Sequence, residues 1–144
     1  MQNTISAGAK FDFGTVIFSE QDIIDFAEKN DPLLFHTDKL MAKNHLFKDI
    51  VASGQHPFHH YYVLHWIPMF GKTVLCGLSV NNWTFQKPLY AGMELKAIVS
   101  VKDLKQHPEK KSVSITWKFD FLDSKNTHFQ HLEMSVLHTD LILG

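Results

Sequence analysis

Hydrophobic and polar residues alternate most strictly between residues 113 and 121. The apolar positions of this stretch are Val113, Ile115, Trp117, Phe119 and Phe121. Because this period of two residues is typical of a strand with one buried face, the stretch is predicted to be a strand. Further strands are predicted at residues 11–18, 74–85, 95–104 and 129–137. Turn-forming residues at 123–126 predict a hairpin before the last strand, and residues from 138 onward are predicted to be a short tail.

A helical pattern follows the first predicted strand. Ser19 and Asp22 have the spacing of a capping arrangement, and apolar residues recur at helical spacing as far as about Asn30. Pro32 disfavours the helical conformation of the residue before it, which is Asp31. The first helix is therefore predicted to end at Asp31.

A second, shorter helix is predicted at residues 38–43. Thr37 is a suitable cap for it, and Asp38 carries a negative charge in its first turn, where the helix dipole favours one. Residues 44–50 are predicted to be a loop.

The most apolar helix is predicted at residues 55–67. Pro57 suits its first turn, and Pro68 suits its end. Its aliphatic and aromatic residues lie on more than one face, which predicts burial in a core. One strand, then helices, then four strands indicate the α+β class, with a curved antiparallel sheet wrapped around a central helix. A single domain is predicted over residues 1–144, with its core at about 11–137.

Composition restricts the kind of partner and compartment. The 144 residues carry a formal net charge of −1, so there is no electrostatic indication of nucleic acid or an anionic membrane as a partner. The N-terminal residues lack the charged and apolar regions of a signal peptide, and no apolar run approaches transmembrane length. With a single cysteine, Cys76, interpreted as buried and inert, a cytoplasmic location is expected.

Asp31 and His36 are the strongest candidates for chemistry. They are separated by a predicted loop in which apolar Leu33, Leu34 and Phe35 can turn both polar side chains into one dry pocket. A carboxylate and an imidazole that share one water can add or remove that water at neutral pH. The alternative is an ordinary helix end with an exposed aspartate and a surface histidine.

Ser53 and Gly54 come directly before the predicted central helix. A glycine allows its backbone N–H to approach a ligand closely, and the first N–H groups of a helix lack internal partners. A carbonyl oxygen bound there would be polarised, and negative charge developing on it would be stabilised. The alternative is a glycine that only begins a helix.

Four segments resemble the MaoC-like dehydratases, which are hotdog-fold hydratases and dehydratases of enoyl and hydroxyacyl thioesters. The segments are residues 19–27 (SEQDIIDFA), 31–38 (DPLLFHTD), 46–54 (LFKDIVASG) and 85–95 (FQKPLYAGMEL). The resemblance covers about residues 11–137. It implies a hotdog fold, a 2-enoyl or 3-hydroxyacyl thioester substrate, presumed to be linked to CoA, and a homodimer. No metal, flavin or nicotinamide cofactor is implied.

The resemblance also implies roles for particular residues. Asp31 and His36 would hold the catalytic water, and Gly54 would donate its N–H to the thioester carbonyl. The expected substrate-binding residues are Ser53, Phe35, His56 and His59. The family more commonly has Ser-Gly before the aspartate and Asn-Pro after it, whereas this chain has Lys-Asn at 29–30 and Leu-Leu at 33–34. These departures put a straight-chain enoyl-CoA substrate in doubt more than the chemistry.

Three alternatives stay open at the level of sequence. A hotdog thioesterase would direct the activated water at the thioester carbonyl instead of the alkene. A non-catalytic domain would only bind acyl thioesters. His56 and His60, four residues apart on a helix, are also compatible with zinc, although no third ligand at diagnostic spacing accompanies them.

Overall fold

A five-stranded antiparallel sheet forms the framework of the molecule. The computed structural model describes residues 5–144, so the first four residues of the predicted domain lie outside the described part. The strands follow the order β1-β3-β4-β5-β2 across the sheet, which leaves β1 and β2 at its edges. Their bounds are Lys10–Ile17 (β1), Val74–Phe85 (β2), Glu94–His107 (β3), Ser112–Leu122 (β4) and His128–Thr139 (β5).

Helices lie between β1 and β2 in the chain. Their bounds are Glu20–Asn30 (α1), Leu34–Thr37 (α2), Lys39–Lys43 (α3), Gln55–Tyr61 (α4) and Ile67–Phe70 (α5). A π-helical turn, Tyr62–Trp66, joins α4 to α5, and we call the continuous run of residues 55–70 the central helix. The sheet curves around this helix, which confirms the predicted α+β hotdog arrangement.

The core lies between the concave face of the sheet and the central helix. Trp117, Phe119 and Phe121 of β4 are fully buried there, as the strict alternation predicts. The hydroxyl of Tyr61 lies within hydrogen-bonding distance of the Gly14 and Leu95 carbonyl oxygens, at 2.9 and 3.0 Å. This contact attaches the central helix to β1 and β3.

The central helix continues past Pro68, contrary to the prediction that the proline ends it. The N–H of Ile67 donates to the carbonyl of Tyr62, five residues earlier. The helical hydrogen bonds therefore already span five residues instead of four before the proline is reached. A π-helical turn of this kind re-registers the backbone, and α5 accommodates Pro68 within its first two positions. The helix therefore ends at Phe70.

Burial of the central helix is also less complete than predicted. Tyr61, Trp66 and Phe70 face the core, whereas Val63 and Leu64 on the opposite side are exposed. The apolar pattern correctly identified a buried helix, but it did not show that one side of that helix has no cover within a single chain. Val63 and Leu64 therefore form part of an exposed apolar surface.

Two further predictions are wrong at β2 and β5. Cys76 is exposed. It lies on β2, an edge strand whose single neighbour in the sheet is β5. The predicted tail from residue 138 begins instead with strand, since β5 extends to Thr139. His138 is fully buried, and its two ring nitrogens lie 2.9 Å from Thr73 Oγ1 and 3.2 Å from Trp117 Nε1.

Candidate active site

A cavity of about 420 Å³ opens between the start of the central helix, the segment around α2 and the end of β2. Five residues predicted from the sequence line it together: Asp31, Phe35, His36, Ser53 and Gly54. Most of the remaining wall is apolar, including Phe85, Leu89 and Phe129. The carboxylate and the imidazole are therefore placed among groups that exclude most water.

Asp31 is positioned by the end of α1. Ser19 and Asp22 form a complete capping box at the start of that helix, and the N–H of Asp31 bonds the Ala27 carbonyl at 2.8 Å at its end. The Ser53 hydroxyl then donates to Asp31 Oδ2 at 2.7 Å. Ser53 is almost fully buried, so this bond holds the carboxylate in one orientation toward the cavity.

His36 lies on the one-turn helix α2 and not in the predicted loop. Its Nδ1 is 2.6 Å from the Val51 carbonyl oxygen, which can only accept a hydrogen bond. Nδ1 must therefore carry the proton, which leaves the lone pair of the neutral ring on Nε2. Nε2 lies 3.5 Å from Asp31 Oδ2.

When the His36 ring is neutral, two hydrogen-bond acceptors, Nε2 of His36 and Oδ2 of Asp31, lie side by side. A water placed between Nε2 of His36 and Oδ2 of Asp31 can donate one proton to each, and its oxygen lone pairs then point toward the cavity. Such an arrangement can deprotonate an attacking water or, in reverse, protonate a leaving hydroxyl. The structure therefore brings the two predicted residues together, and their catalytic role stays a prediction.

The residues around the pair differ from the prediction in two respects. Leu33 and Leu34 are 51% and 54% exposed, so they do not anchor the segment, and Phe35 alone of the three lines the cavity. Asp38, not Thr37, caps α3, since its carboxylate accepts from the N–H groups of Leu40 and Met41. Local hydrogen bonds fold this segment into the two short helices α2 and α3.

Gly54 lies immediately before α4, with φ of −57°, a conformation open to any residue. The reason for glycine is space, because a Cβ there would lie 2.4 Å from Cε1 of Phe85. Among the described residues, the Gly54 N–H has no hydrogen-bond acceptor. A backbone donor therefore remains available beside the Asp31–His36 pair.

Comparison with known proteins identifies the family. Residues 2–120 match the family model described as the MaoC like domain. The chain belongs to this family. A curated relative, the uncharacterized protein YdeM of Bacillus subtilis, is 32% identical over 133 residues, covering 90% of this chain and 92% of its own. The family supports a hydratase or dehydratase role, with the substrate still to be assigned.

Solved structures share the fold. A MaoC-like dehydratase from Rhodospirillum rubrum has a TM-score of 0.80 at 22% identity and covers 94% of this chain and 93% of its own. The (R)-hydratase of A. caviae involved in PHA biosynthesis has a TM-score of 0.69 at 18% identity, covering 92% and 96%. The HadBC (3R-hydroxyacyl-ACP dehydratase) complex of Mycobacterium tuberculosis gives 0.73 at 12%, covering 94% and 99%.

His56 and His59 do not line the cavity of this MaoC-like chain, contrary to the prediction. His56 is stacked between Phe18 and Phe26, with ring centroids 3.9 and 4.2 Å away, on the other side of the helix start. Burial, helped by the nearby His60, lowers the pKa of His56 to about 4. His59 is exposed beside Phe26. Over residues 5–144, no group of three or more candidate ligands is arranged to hold a metal ion.

Sequence reasoning missed two contributors to the site. The Val51 carbonyl sets the tautomer of His36, and no side-chain pattern reveals a backbone acceptor fifteen residues away. Gln130 lines the same cavity from β5. A signal for it exists, because Gln130 is in phase with the inward-facing Leu132, Met134 and Val136 and is the polar member of that row.

A helix long and apolar enough to cross a membrane is absent from the described part of the chain.

Proposed function

We propose that this protein is a hydratase/dehydratase that adds water across C2–C3 of a 2-enoyl thioester and removes it from the 3-hydroxyacyl thioester. The observation that carries the proposal is the pair of Asp31 and His36 in one cavity, with the His36 tautomer fixed by Val51. The unpaired N–H of Gly54 borders the same space. The thioester is proposed to be linked to CoA.

In hydration, the water held by Asp31 and His36 forms a bond to C3 through its oxygen. The pair accepts one proton from that water and returns a proton to C2, so the product gains one complete water molecule and the pair regains its starting state. Charge that develops on the thioester oxygen is stabilised by the Gly54 N–H. Ser53 keeps the carboxylate aimed at the water. Dehydration follows the same steps in reverse.

The proposed reaction changes no oxidation state. We therefore expect the protein alone to suffice, with no metal, flavin or nicotinamide. The thioester supplies the activation, because its carbonyl makes C3 electrophilic and C2 acidic. Removing metal ions with a chelator should leave the rate unchanged.

A panel of 2-enoyl-CoA and 3-hydroxyacyl-CoA thioesters tests the proposal. Products are separated by chromatography, and free CoA is measured with a thiol reagent. Interconversion of enoyl and 3-hydroxyacyl forms without thiol release supports the proposal. Release of thiol would assign a thioesterase instead, and binding without turnover of any member would assign a non-catalytic acyl-thioester domain.

We also propose that two copies assemble along β2. Leu75, Leu78 and Val80 of this edge strand are exposed, and unpaired edge strands favour pairing with another chain. A groove between β2 and the central helix is lined by Leu78, Val80, Tyr62 and Trp66, next to the exposed side of that helix. An isologous pair would cover this apolar surface in both copies.

Assembly is tested by sedimentation of the wild type and of Val80→Lys. A dimer in the wild type that becomes a monomer in the variant at micromolar concentration supports the proposal. Lys10→Glu, a charge change at an exposed position of β1 on the opposite edge of the sheet, is the matched control and should stay dimeric. A monomeric wild type would contradict it.

A further inference from the structure

Gln130 occupies an unusual place on the concave face of the sheet. It is opposite Phe121 of β4 and Phe85 of β2 in the strand register, so its side chain lies on the face that holds the core. It is only 5% exposed. The other inward positions of β5 before the last are apolar, so a carboxamide here requires an explanation.

Trp83 fixes the orientation of this carboxamide. The indole Nε1 of Trp83 donates to Gln130 Oε1 at 2.8 Å, and an indole nitrogen can only donate. The oxygen must therefore face Trp83, and the amide nitrogen must point away from it. Trp83 is itself packed against Phe58 and Phe85, with centroids 5.6 and 5.7 Å away, so it offers a firm anchor.

Among residues 5–144 the amide nitrogen of Gln130 has no protein acceptor, and it is not enclosed by protein, so it is accessible from the cavity. Gln130 lines the cavity that also holds Asp31 and His36, and its cross-strand neighbour Phe85 reaches Gly54. The donor therefore opens on the part of the cavity wall that β5 and β2 form, with Phe85 next to it. A ligand that displaces water from this donor without replacing the hydrogen bond loses about 1–3 kcal/mol.

We propose that Gln130 determines substrate specificity by donating a hydrogen bond to an oxygen on the acyl chain beyond C3. The preferred substrate is then an oxygen-bearing acyl thioester, with a hydroxyl or carbonyl group on its chain, and not a plain alkyl one. This inference rests on the proposed function, since it assumes that the cavity holds an acyl thioester. A plain alkyl chain would occupy the same space and leave the amide unpaired.

Matched substrates measure this preference directly. 2-Hexenoyl-CoA is compared with its 5-hydroxy and 5-oxo derivatives, and 2-heptenoyl-CoA with its 6-hydroxy and 6-oxo derivatives. We expect wild-type kcat/KM to be at least about tenfold higher for one oxygenated member than for its alkyl counterpart, the ratio that one unpaired buried donor produces. Gln130→Leu should remove that difference, so that kcat/KM becomes the same for both members of each matched pair.

Two further variants separate specificity from folding. Met134→Leu changes another inward position of β5 that lines the groove beside β2 and not the cavity, so it should keep the preference. Trp83→Phe removes the donor that holds the carboxamide, so the preference should decrease to a value between those of the wild type and Gln130→Leu. Thermal unfolding of each variant confirms that the comparison is made between folded proteins.

Three outcomes would overturn the inference. Equal activity of the wild type on every matched pair would show that Gln130 does not select the chain. An equal loss on both members in Gln130→Leu would place its contact on the part that all thioesters share. No change in Gln130→Leu would make the residue purely structural.

Failure of the proposed function gives a different result. Binding of the same thioesters is measured by calorimetry with Asp31→Asn, alone and combined with Gln130→Leu. If no thioester is turned over by the wild type but the oxygenated one still binds more tightly in a Gln130-dependent way, catalysis is wrong and the specificity inference holds. If turnover occurs without that preference, the proposed function holds and the specificity inference is wrong.

Discussion

His36 and His56 are buried to almost the same extent, yet they occupy opposite kinds of environment. They are 5% and 7% exposed. Nδ1 of His36 donates to the Val51 carbonyl, and its Nε2 lies 3.5 Å from the Asp31 carboxylate at the wall of the cavity. Nδ1 of His56 has no partner among the described residues, and its ring is stacked between two phenylalanines.

The difference shows what distinguishes a histidine suited to catalysis from one suited to packing. Burial alone favours the neutral ring, as in His56, whose pKa is lowered to about 4. Proton transfer additionally requires a fixed tautomer, a free nitrogen and a cavity where a substrate can approach it. His36 has all three, whereas His56 contributes a flat ring to an aromatic stack.

The largest effects on activity should come from variants of the Asp31–His36 pair. We expect Asp31→Asn and His36→Gln each to lower kcat/KM by about 10²–10⁴-fold, because each removes one acceptor for the catalytic water. The double variant should lose no more than about as much as the worse single variant, since the two residues act on one water. Steady-state kinetics on the enoyl-CoA panel measures all three.

His56→Phe is the matched control for this comparison. It replaces another buried imidazole by a ring of similar shape, so kcat/KM should stay close to that of the wild type. A loss comparable with that of His36→Gln would show that the two histidines do not differ in the way proposed.

An intermediate effect is expected from Ser53→Ala. The variant removes a hydrogen bond to a carboxylate, an interaction of about 1.5–3 kcal/mol, so kcat/KM should decrease about 10–150-fold. Ser124→Ala, in the exposed turn between β4 and β5, is the control. An unchanged rate for Ser53→Ala would mean that the carboxylate keeps its orientation without the hydroxyl.

The smallest effect concerns the pH dependence of stability. The ordinary pKa of histidine is near 6.5, and burial lowers that of His56 to about 4. Between these values the unfolded chain takes up a proton that the folded chain does not, so the free energy of unfolding should fall as the pH decreases from 6.5 to 4. His56→Phe should reduce this fall. Urea unfolding at pH 7 and pH 5 measures it.

His138 should contribute to the same pH dependence, because burial lowers its pKa to about 4 as well. Some acid sensitivity is therefore expected to remain in His56→Phe. His59→Gln, a change at an exposed histidine, should retain the full decrease of the wild type. An identical pH dependence in His56→Phe and the wild type would contradict the assignment.

Much of the fold could be predicted from the sequence because burial imposes periodicity. β2 is found at the predicted residues, and the core of β4 follows its alternation. The boundaries failed where a distant contact decides the conformation. His138 continues β5 because Trp117 and Thr73 are there to meet its ring, and neither is near it in sequence.

The candidate site divides in the same way. Residue types, together with the resemblance to MaoC-like dehydratases, brought Asp31, His36 and Gly54 into one hypothesis, and the structure places them around one cavity. His56 and His59 were also expected to bind substrate, but they do not line that cavity, because successive positions of a helix face different directions.

The sequence by itself determined the order of strands and helices, the buried face of the strands that alternate, and the candidate residues for binding a water molecule. These properties depend on neighbours a few positions apart. Tertiary structure alone decided which nitrogen of His36 is free, which way the Gln130 amide points and which side of the central helix lacks cover. Each of these depends on a group brought close by folding, and hydrogen bonds have direction that a pattern of residue types does not contain.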